Sequence, residues 1–193
     1  MKILAISDYD PETIEIPDKA IDLIITCGDI NFQAYQSLVR KTDLEKVPVF
    51  GVAGNHDYYE LDCNDLLRVR NIHLTKTEFN GYTFGGFEGS VKYKKGKHQY
   101  TDEEVLELMQ DFPRVDIFIA HHPPKGIHDN PNERIYTGFA AFSKYIDEKK
   151  PDYFIHGHVH KDLKTVVGKT SIISLPPVYN PADKLKIIEI PDK

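Results

Sequence analysis

Five short apolar runs, each leading into a knot of polar side chains, limit what this chain can fold into. The runs cover 3–7, 21–26, 47–53, 115–120 and 153–155. They are continuous rather than alternating, which predicts strands buried on both faces, as in a parallel sheet covered by helices. The knots are Ser7-Asp8-Tyr9-Asp10, Cys27-Gly28-Asp29, Gly54-Asn55-His56-Asp57, His121-His122-Pro123-Pro124 and His156-Gly157-His158-Val159-His160. Loops at the ends of buried strands are where a rigid sheet presents functional groups.

Between the second and third runs, Phe32, Tyr35, Leu38 and Val39 recur at helical spacing. That is the strand–helix–strand rhythm of a parallel sheet. Residues 10–19 hold two prolines and predict an irregular loop. Residues 72–74 and 82–87 read as short meander strands. The stretch Lys92–Lys97, with four lysines and a tyrosine, is expected to be a solvated loop in preference to a flap that attracts a phosphate. Thr101-Asp102-Glu103-Glu104 has the capping-box pattern and opens a helix with Val105, Leu108, Met109 and Phe112 as its apolar stripe. A second amphipathic helix is expected over 138–149, with Phe139, Phe142, Tyr145 and Ile146 inward. Strands are expected at 164–167, 171–174 and 185–190. With no repeat or linker in view, residues 1–193 are expected to form one domain.

Composition acts as a bound. The 193 residues are 40% apolar and 28% charged, enough for one sizeable core. A net charge of -6 argues against a broad electrostatic grip on nucleic acid. An acidic chain can still take an anionic substrate if bound metal ions supply positive charge. Cys27 and Cys63 match no zinc spacing and are too few for a disulfide framework. They fit a reducing compartment, with a buried thiol at Cys27 and a free, partly buried one at Cys63. The chain enters its first strand without a secretory leader, and no apolar stretch reaches transmembrane length. A cytoplasmic protein with no membrane partner is expected.

The motif side chains are carboxylates, a carboxamide and imidazoles, the groups that hold divalent cations. Asp8 and Asp10 lie two residues apart, as do His158 and His160. Alternate residues of an extended chain point the same way, so each pair is expected to reach one ion. Asp29, Asn55 and His121 add one donor each. These seven candidate ligands are too many for one tetrahedral ion and suit two ions with open positions. Two ions about 3.5–4 Å apart are a known device for displacement at phosphorus.

The order D-x-D, G-D, G-N-H-D, H-H-P-P and G-H-x-H, spanning Asp8 to His160, resembles the calcineurin-like metallophosphoesterase superfamily. The resemblance implies an α/β fold, a four-layer α/β/β/α sandwich of two mixed β-sheets flanked by helices, with the site at strand ends. It implies a hydrolase of a small phosphoester, in which a hydroxide bridging two metals attacks phosphorus. Asp8, His160 and the residue at position 10 would hold the first metal. Asp29 would bridge both, and Asn55, His121 and His158 would hold the second. His56, facing the substrate beside Asn55, would be the general acid, and Asp57 would orient its imidazole. His121 rather than His122 is the implied ligand; His122 would support the site from behind or line the substrate pocket.

Position 10 departs from the pattern, since most members carry histidine there and this chain carries Asp10. A carboxylate hardens the first site and shifts the expected metal toward manganese, with iron, zinc, nickel or magnesium as the alternatives. Small members with little capping structure often cleave phosphodiesters, so a phosphodiesterase is expected before a phosphomonoesterase. The competing readings are a non-catalytic scaffold of the same fold and a nuclease acting on DNA ends. Loops at 58–65, 88–98 and 125–136 are expected to shape the pocket. Taken singly, Asp8, Asp29 and Asn55 would be ordinary caps and turn residues. Tyr9, Tyr58 and Tyr59 are read as packing, His156 as a buried structural histidine, and His73, His98 and His128 as surface residues.

Overall fold

The computed structural model describes residues 1–17, 20–43, 46–59, 61 and 67–193. Lys19, Cys63 and much of the expected 58–65 loop lie outside them. In chain order the strands are β1 (Lys2–Ile6), β2 (Leu23–Thr26), β3 (Val49–Gly51), β4 (Arg70–Asn71), β5 (Thr77–Phe79), β6 (Tyr82–Phe87), β7 (Ser90–Val91), β8 (Gln99–Tyr100), β9 (Ile117–Ala120), β10 (Tyr153–His156), β11 (Leu163–Val167), β12 (Thr170–Ser174) and β13 (Lys186–Glu189). The helices are α1 (Phe32–Lys41), α2 (Asp102–Met109) and α3 (Ala140–Lys149), with a 3-10 turn at Arg134–Tyr136. Among the described residues, no helix is long and apolar enough to cross a membrane.

One sheet has the order β13-β1-β2-β3-β4 and the other β11-β12-β10-β9-β6-β5. Both are mixed. Strands β1 to β4 run parallel with β13 antiparallel at the edge. Strands β12, β10, β9 and β6 run parallel between antiparallel β11 and β5. Successive side chains of a strand alternate between faces, and three apolar layers follow. Ile3, Ala5, Leu23, Ile25 and Phe50 meet Phe84, Ile117, Ile119, Ile155 and Ile173 between the sheets. Leu4, Ile6, Ile24 and Val49 pack under Ala34, Tyr35 and Leu38 of α1. Phe118, Phe154 and Ile172 pack under Val105 and Met109 of α2 and Phe142, Tyr145 and Ile146 of α3. This is the expected four-layer sandwich.

Local chemistry explains the helix ends. Thr101 and Glu104 close both halves of a capping box at 3.2 and 2.7 Å, satisfying backbone donors that a first turn leaves over. Leu108 is exposed rather than part of the buried stripe. Helix α3 starts at Ala140 with Phe139 as its buried cap residue, two residues later than expected. The strand expected at 72–74 is instead β4 at 70–71, because the wholly buried Ile72 turns into the core and His73 keeps only one bridge, to Gly86. Among described residues, 10–17 form the irregular loop expected.

Candidate metal centre and its cleft

Strands β1, β2, β3, β9 and β10 are consecutive parallel neighbours within their sheets. Their carboxyl ends therefore open on one edge, and the five polar knots follow there. Asp8, Asp29, His158 and His160 take left-handed backbone conformations, with φ of 50°, 54°, 67° and 55°. Asp and His enter that region more readily than most residues, and such strain gathers at functional sites. These turns overrule the extended-chain argument for the paired ligands. Asp8 is buried and Asp10 exposed, while His158 is buried and His160 exposed; each member of a pair meets different partners. Glycines let the loops nest. Gly28 has φ of 85°, and a Cβ there would lie 2.3 Å from the Gly54 nitrogen. A Cβ on Gly157 would lie 1.8 Å from Ser7 Oγ.

The chemistry of the donors points to a cation. His121 Nδ1 lies 2.7 Å from the Cys27 carbonyl oxygen, which can only accept, so Nδ1 carries a proton and Nε2 offers a lone pair. His158 Nε2 lies 2.7 Å from the Ile135 carbonyl, so His158 offers its Nδ1 lone pair. Around His121 Nε2 stand His158 Nδ1 at 3.1 Å, Asn55 Oδ1 at 3.1 Å and Asp29 Oδ2 at 3.3 Å. Four lone pairs thus converge in a buried place, and only a proton or a cation among them makes that arrangement favourable. Burial opposes charge on His121, but Asp29 and Asp8 override it and push its pKa up to about 9. Burial likewise opposes ionisation of Asp29, yet His121 and the His56 N–H hold its carboxyl well below the usual carboxylate range. Burial and the neighbouring His121 hold His158 neutral, with a pKa down to about 4.

A second group adjoins the first. Donor atoms of Asp8, Asp29 and His121 all lie within 4.8 Å of one another. Asp8 Oδ2 accepts from Ser7 Oγ at 2.7 Å and from the His158 N–H at 2.9 Å. Its Oδ1 faces His160 Nε2 at 3.2 Å. The other His160 nitrogen meets the Tyr179 hydroxyl at 3.2 Å. Tyr179 comes from the Val178 segment, which bridges β1's extension at Tyr9. This nitrogen-and-oxygen set suits the borderline and hard divalent ions expected from the sequence. Asp10 lines the cleft beside it but is not one of the three converging groups.

Asp57 has a different task from the one expected. Its oxygens accept from the backbone N–H groups of Gly54 (2.8 Å), Asp29 (3.0 Å) and Ile30 (3.2 Å) and from the Tyr59 hydroxyl (3.1 Å). It ties two ligand loops together instead of orienting the His56 ring. Burial, with Asp29 nearby, lifts its pKa to about 6. His56 is exposed in the cleft, its backbone N–H held by Asp29 Oδ1 at 2.7 Å.

His122 does not line the pocket. It is wholly buried, bonded to the Thr137 carbonyl at 2.8 Å, with its ring 4.5 Å from that of His158. Its place is behind His158. His156 is buried as expected, joined to His128 at 3.0 Å. His128 is therefore half-buried, and so are His73 and His98, which flank Glu88; none of the three is a free surface residue.

The cleft over this centre has a volume of about 460 Å³, within the range of small-molecule sites. Beyond the ligands its walls include Phe32, Tyr58, Tyr93, Tyr136 and Tyr179. Tyr58 is 76% exposed on the rim, whereas Tyr9 is buried with its hydroxyl on the Thr13 carbonyl. The sequence pointed to the loops carrying Tyr93 and Tyr136 but not to those residues, and it missed Tyr179. Its one signal was the Pro176-Pro177 pair, which marks the chain just before Val178-Tyr179 as non-helical connection. The four lysines of Lys92–Lys97 are exposed, as expected of a solvated loop, while Tyr93 brings the segment to the cleft wall.

Comparison with known proteins agrees with this geometry. A sequence model described as calcineurin-like phosphoesterase matches residues 1–162. A Pseudoalteromonas sp. (strain SM9913) protein named "probable cyclic nucleotide phosphodiesterase" is 26% identical over 179 residues, covering 84% of this chain. The match spans 65% of that relative's length. Among solved structures, TT1561 of Thermus thermophilus is similar with a TM-score of 0.61 at 19% identity, covering 91% of this chain and 89% of that one. A dimetal phosphatase from Danio rerio has a TM-score of 0.59 at 12% identity, with 95% and 90% covered. At those identities the likeness is one of fold.

Proposed function

This chain belongs to the calcineurin-like phosphoesterase family, and from that premise we propose that it is a metal-dependent hydrolase of a small phosphodiester. The observation that carries the reading is the convergence of His121 Nε2, His158 Nδ1, Asn55 Oδ1 and Asp29 Oδ2 on one point. Asn55, His121 and His158 would hold one ion, Asp8, His160 and Asp10 the other, and Asp29 both. When bound, two divalent ions supply the positive charge that acidifies a water and offsets charge on the phosphoryl oxygens. The chain's own groups do the rest. Asp57 fixes the Asp29 and Gly54 loops, so the ligands are held in position beforehand. His56, exposed beside Asn55, donates a proton to the departing alkoxide. Two observations favour a diester over a monoester. The cleft, at about 460 Å³ and with aromatic walls, would accept a substituent on each side of the phosphoryl group, and the relative from Pseudoalteromonas carries a phosphodiesterase name. Manganese is the first choice of ion, because Asp10, on the cleft wall beside the first site, would add a hard oxygen donor on turning to a bound ion.

The test is hydrolysis by Mn²⁺-loaded protein of bis-p-nitrophenyl phosphate, cyclic nucleotides and p-nitrophenyl phosphate. The expected result is turnover of diesters above the monoester, lost on chelation. His56→Ala should lower kcat by about 10²–10⁴-fold while metal content stays the same. A protein that takes up metal but cleaves none of these would overturn the reading in favour of a scaffold.

A further inference from the structure

Tyr93 is delivered to the cleft by a segment pinned on both sides. Strands β7 and β8 pair around residues 92–98. From β8 the buried Gln99 reaches into that loop and accepts through Oε1 from the backbone N–H groups of Tyr93 at 3.4 Å and Lys94 at 3.2 Å. Lys92 N–H bonds the Tyr100 carbonyl at 2.8 Å, and Arg134 donates to the Lys92 carbonyl at 3.1 Å. These ties fix the backbone from which the Tyr93 ring projects. Its hydroxyl meets Asn55 Nδ2 at 3.3 Å, and the ring lines the cleft.

Hydrogen-bond arithmetic gives this contact its meaning. Asn55 turns Oδ1 to His121 Nε2 at 3.1 Å, so its amide NH₂ faces the other way and donates to the Tyr93 oxygen. A phenol that has accepted one bond still holds its own O–H. That proton is available on the cleft side, beside the point where the donors converge. Lys94 Nζ stands 5.1 Å from the centre of the Tyr93 ring, so the segment brings a cation with it. A positioned hydroxyl with a lysine alongside suits an anionic oxygen ligand.

Building on the phosphodiesterase reading, we infer that Tyr93 is a substrate-binding residue. It donates its O–H to a non-bridging oxygen of the phosphoryl group, with the Lys92–Lys97 segment as the lip of the phosphate subsite. The full-length chain carrying Tyr93→Phe, which keeps the ring, is compared with wild type under saturating Mn²⁺. Three quantities are measured: Mn²⁺ affinity by calorimetry, kcat/KM on bis-p-nitrophenyl phosphate, and competitive inhibition by inorganic phosphate. The expected result is unchanged Mn²⁺ affinity, a fall in kcat/KM of about 10- to 100-fold, and phosphate inhibition weakened about 10-fold. Wild-type values of kcat/KM and phosphate inhibition in the variant overturn the inference. Loss of Mn²⁺ affinity also overturns it, because Tyr93 would then act only by holding Asn55. A wild-type chain that binds Mn²⁺ but turns over no diester instead removes the underlying reading.

Discussion

On the proposed reading, a proton and a metal ion would compete for one lone pair at His121. In the metal-free chain that imidazole has a pKa of about 9, raised against its complete burial by Asp29 and Asp8. At pH 7 that nitrogen is therefore largely protonated. Metal binding at pH 7 must then remove a proton at a cost of roughly 3 kcal/mol. The sign follows directly. Apparent metal affinity should rise about tenfold per unit between pH 7 and 9 and level off above that. His158, held neutral, contributes no proton in this window. Calorimetric titration of Mn²⁺ into metal-free protein, under anaerobic conditions at pH 7, 8 and 9, measures the slope. Repeating the pH 7 titration in two buffers of different ionisation enthalpy counts the protons released, and about one is expected. A flat affinity from pH 7 to 9 with no proton released would refute the argument.

Two further outcomes test the frame around the centre. Asp57→Ala strands three backbone N–H groups and a phenol. It should destabilise the fold by about 3–5 kcal/mol, lowering the melting temperature by roughly 10 °C; a melt within 2 °C or so of wild type would contradict this. At the far end of the second sheet, burial opposes ionisation of Asp116, but Lys193, Thr83 and Arg114 hold its carboxyl well below the usual carboxylate range. A depressed folded-state pKa means stability present above the ordinary carboxylate range and lost as pH falls through and below it. Urea melts at pH 7 and pH 3 should show a smaller acid loss in Asp116→Asn than in wild type, and equal losses would count against the network.

The parts of the fold that could be read from sequence were those set by local periodicity. The buried runs at β1, β9 and β10, the strand at 82–87 and the Thr101–Glu104 cap each depend on neighbours a few residues away. The gathering of Asp8, Asp29 and His121 could also be anticipated, because metal chemistry restricts residue types. What could not be read depends on distant chain. The partners of Asp57 come from two other loops, and the approach of Tyr179 to His160 needs the 176–179 segment laid beside Tyr9. Tyr93 was hidden for a related reason. In sequence its segment is dominated by exposed lysines, and the groups that fix its backbone at the cleft, among them Gln99, Tyr100 and Arg134, come from outside it. The left-handed turns at Asp8 and His158 defeated the alternation argument because pairing two donors in sequence says nothing about φ.

Those turns have a bearing on how relatives should be judged. At positions 8, 29, 158 and 160 the backbone itself favours Asn, Asp, His or Gly, whatever chemistry is performed there. A relative that held no ion would still be steered to small polar side chains at these places. Their survival is a weak sign of activity. Position 121 carries no such steering: its backbone is not left-handed, and its imidazole is sealed from solvent among other lone pairs. Histidine has no conformational excuse there, so that single position is the better diagnostic of a working enzyme.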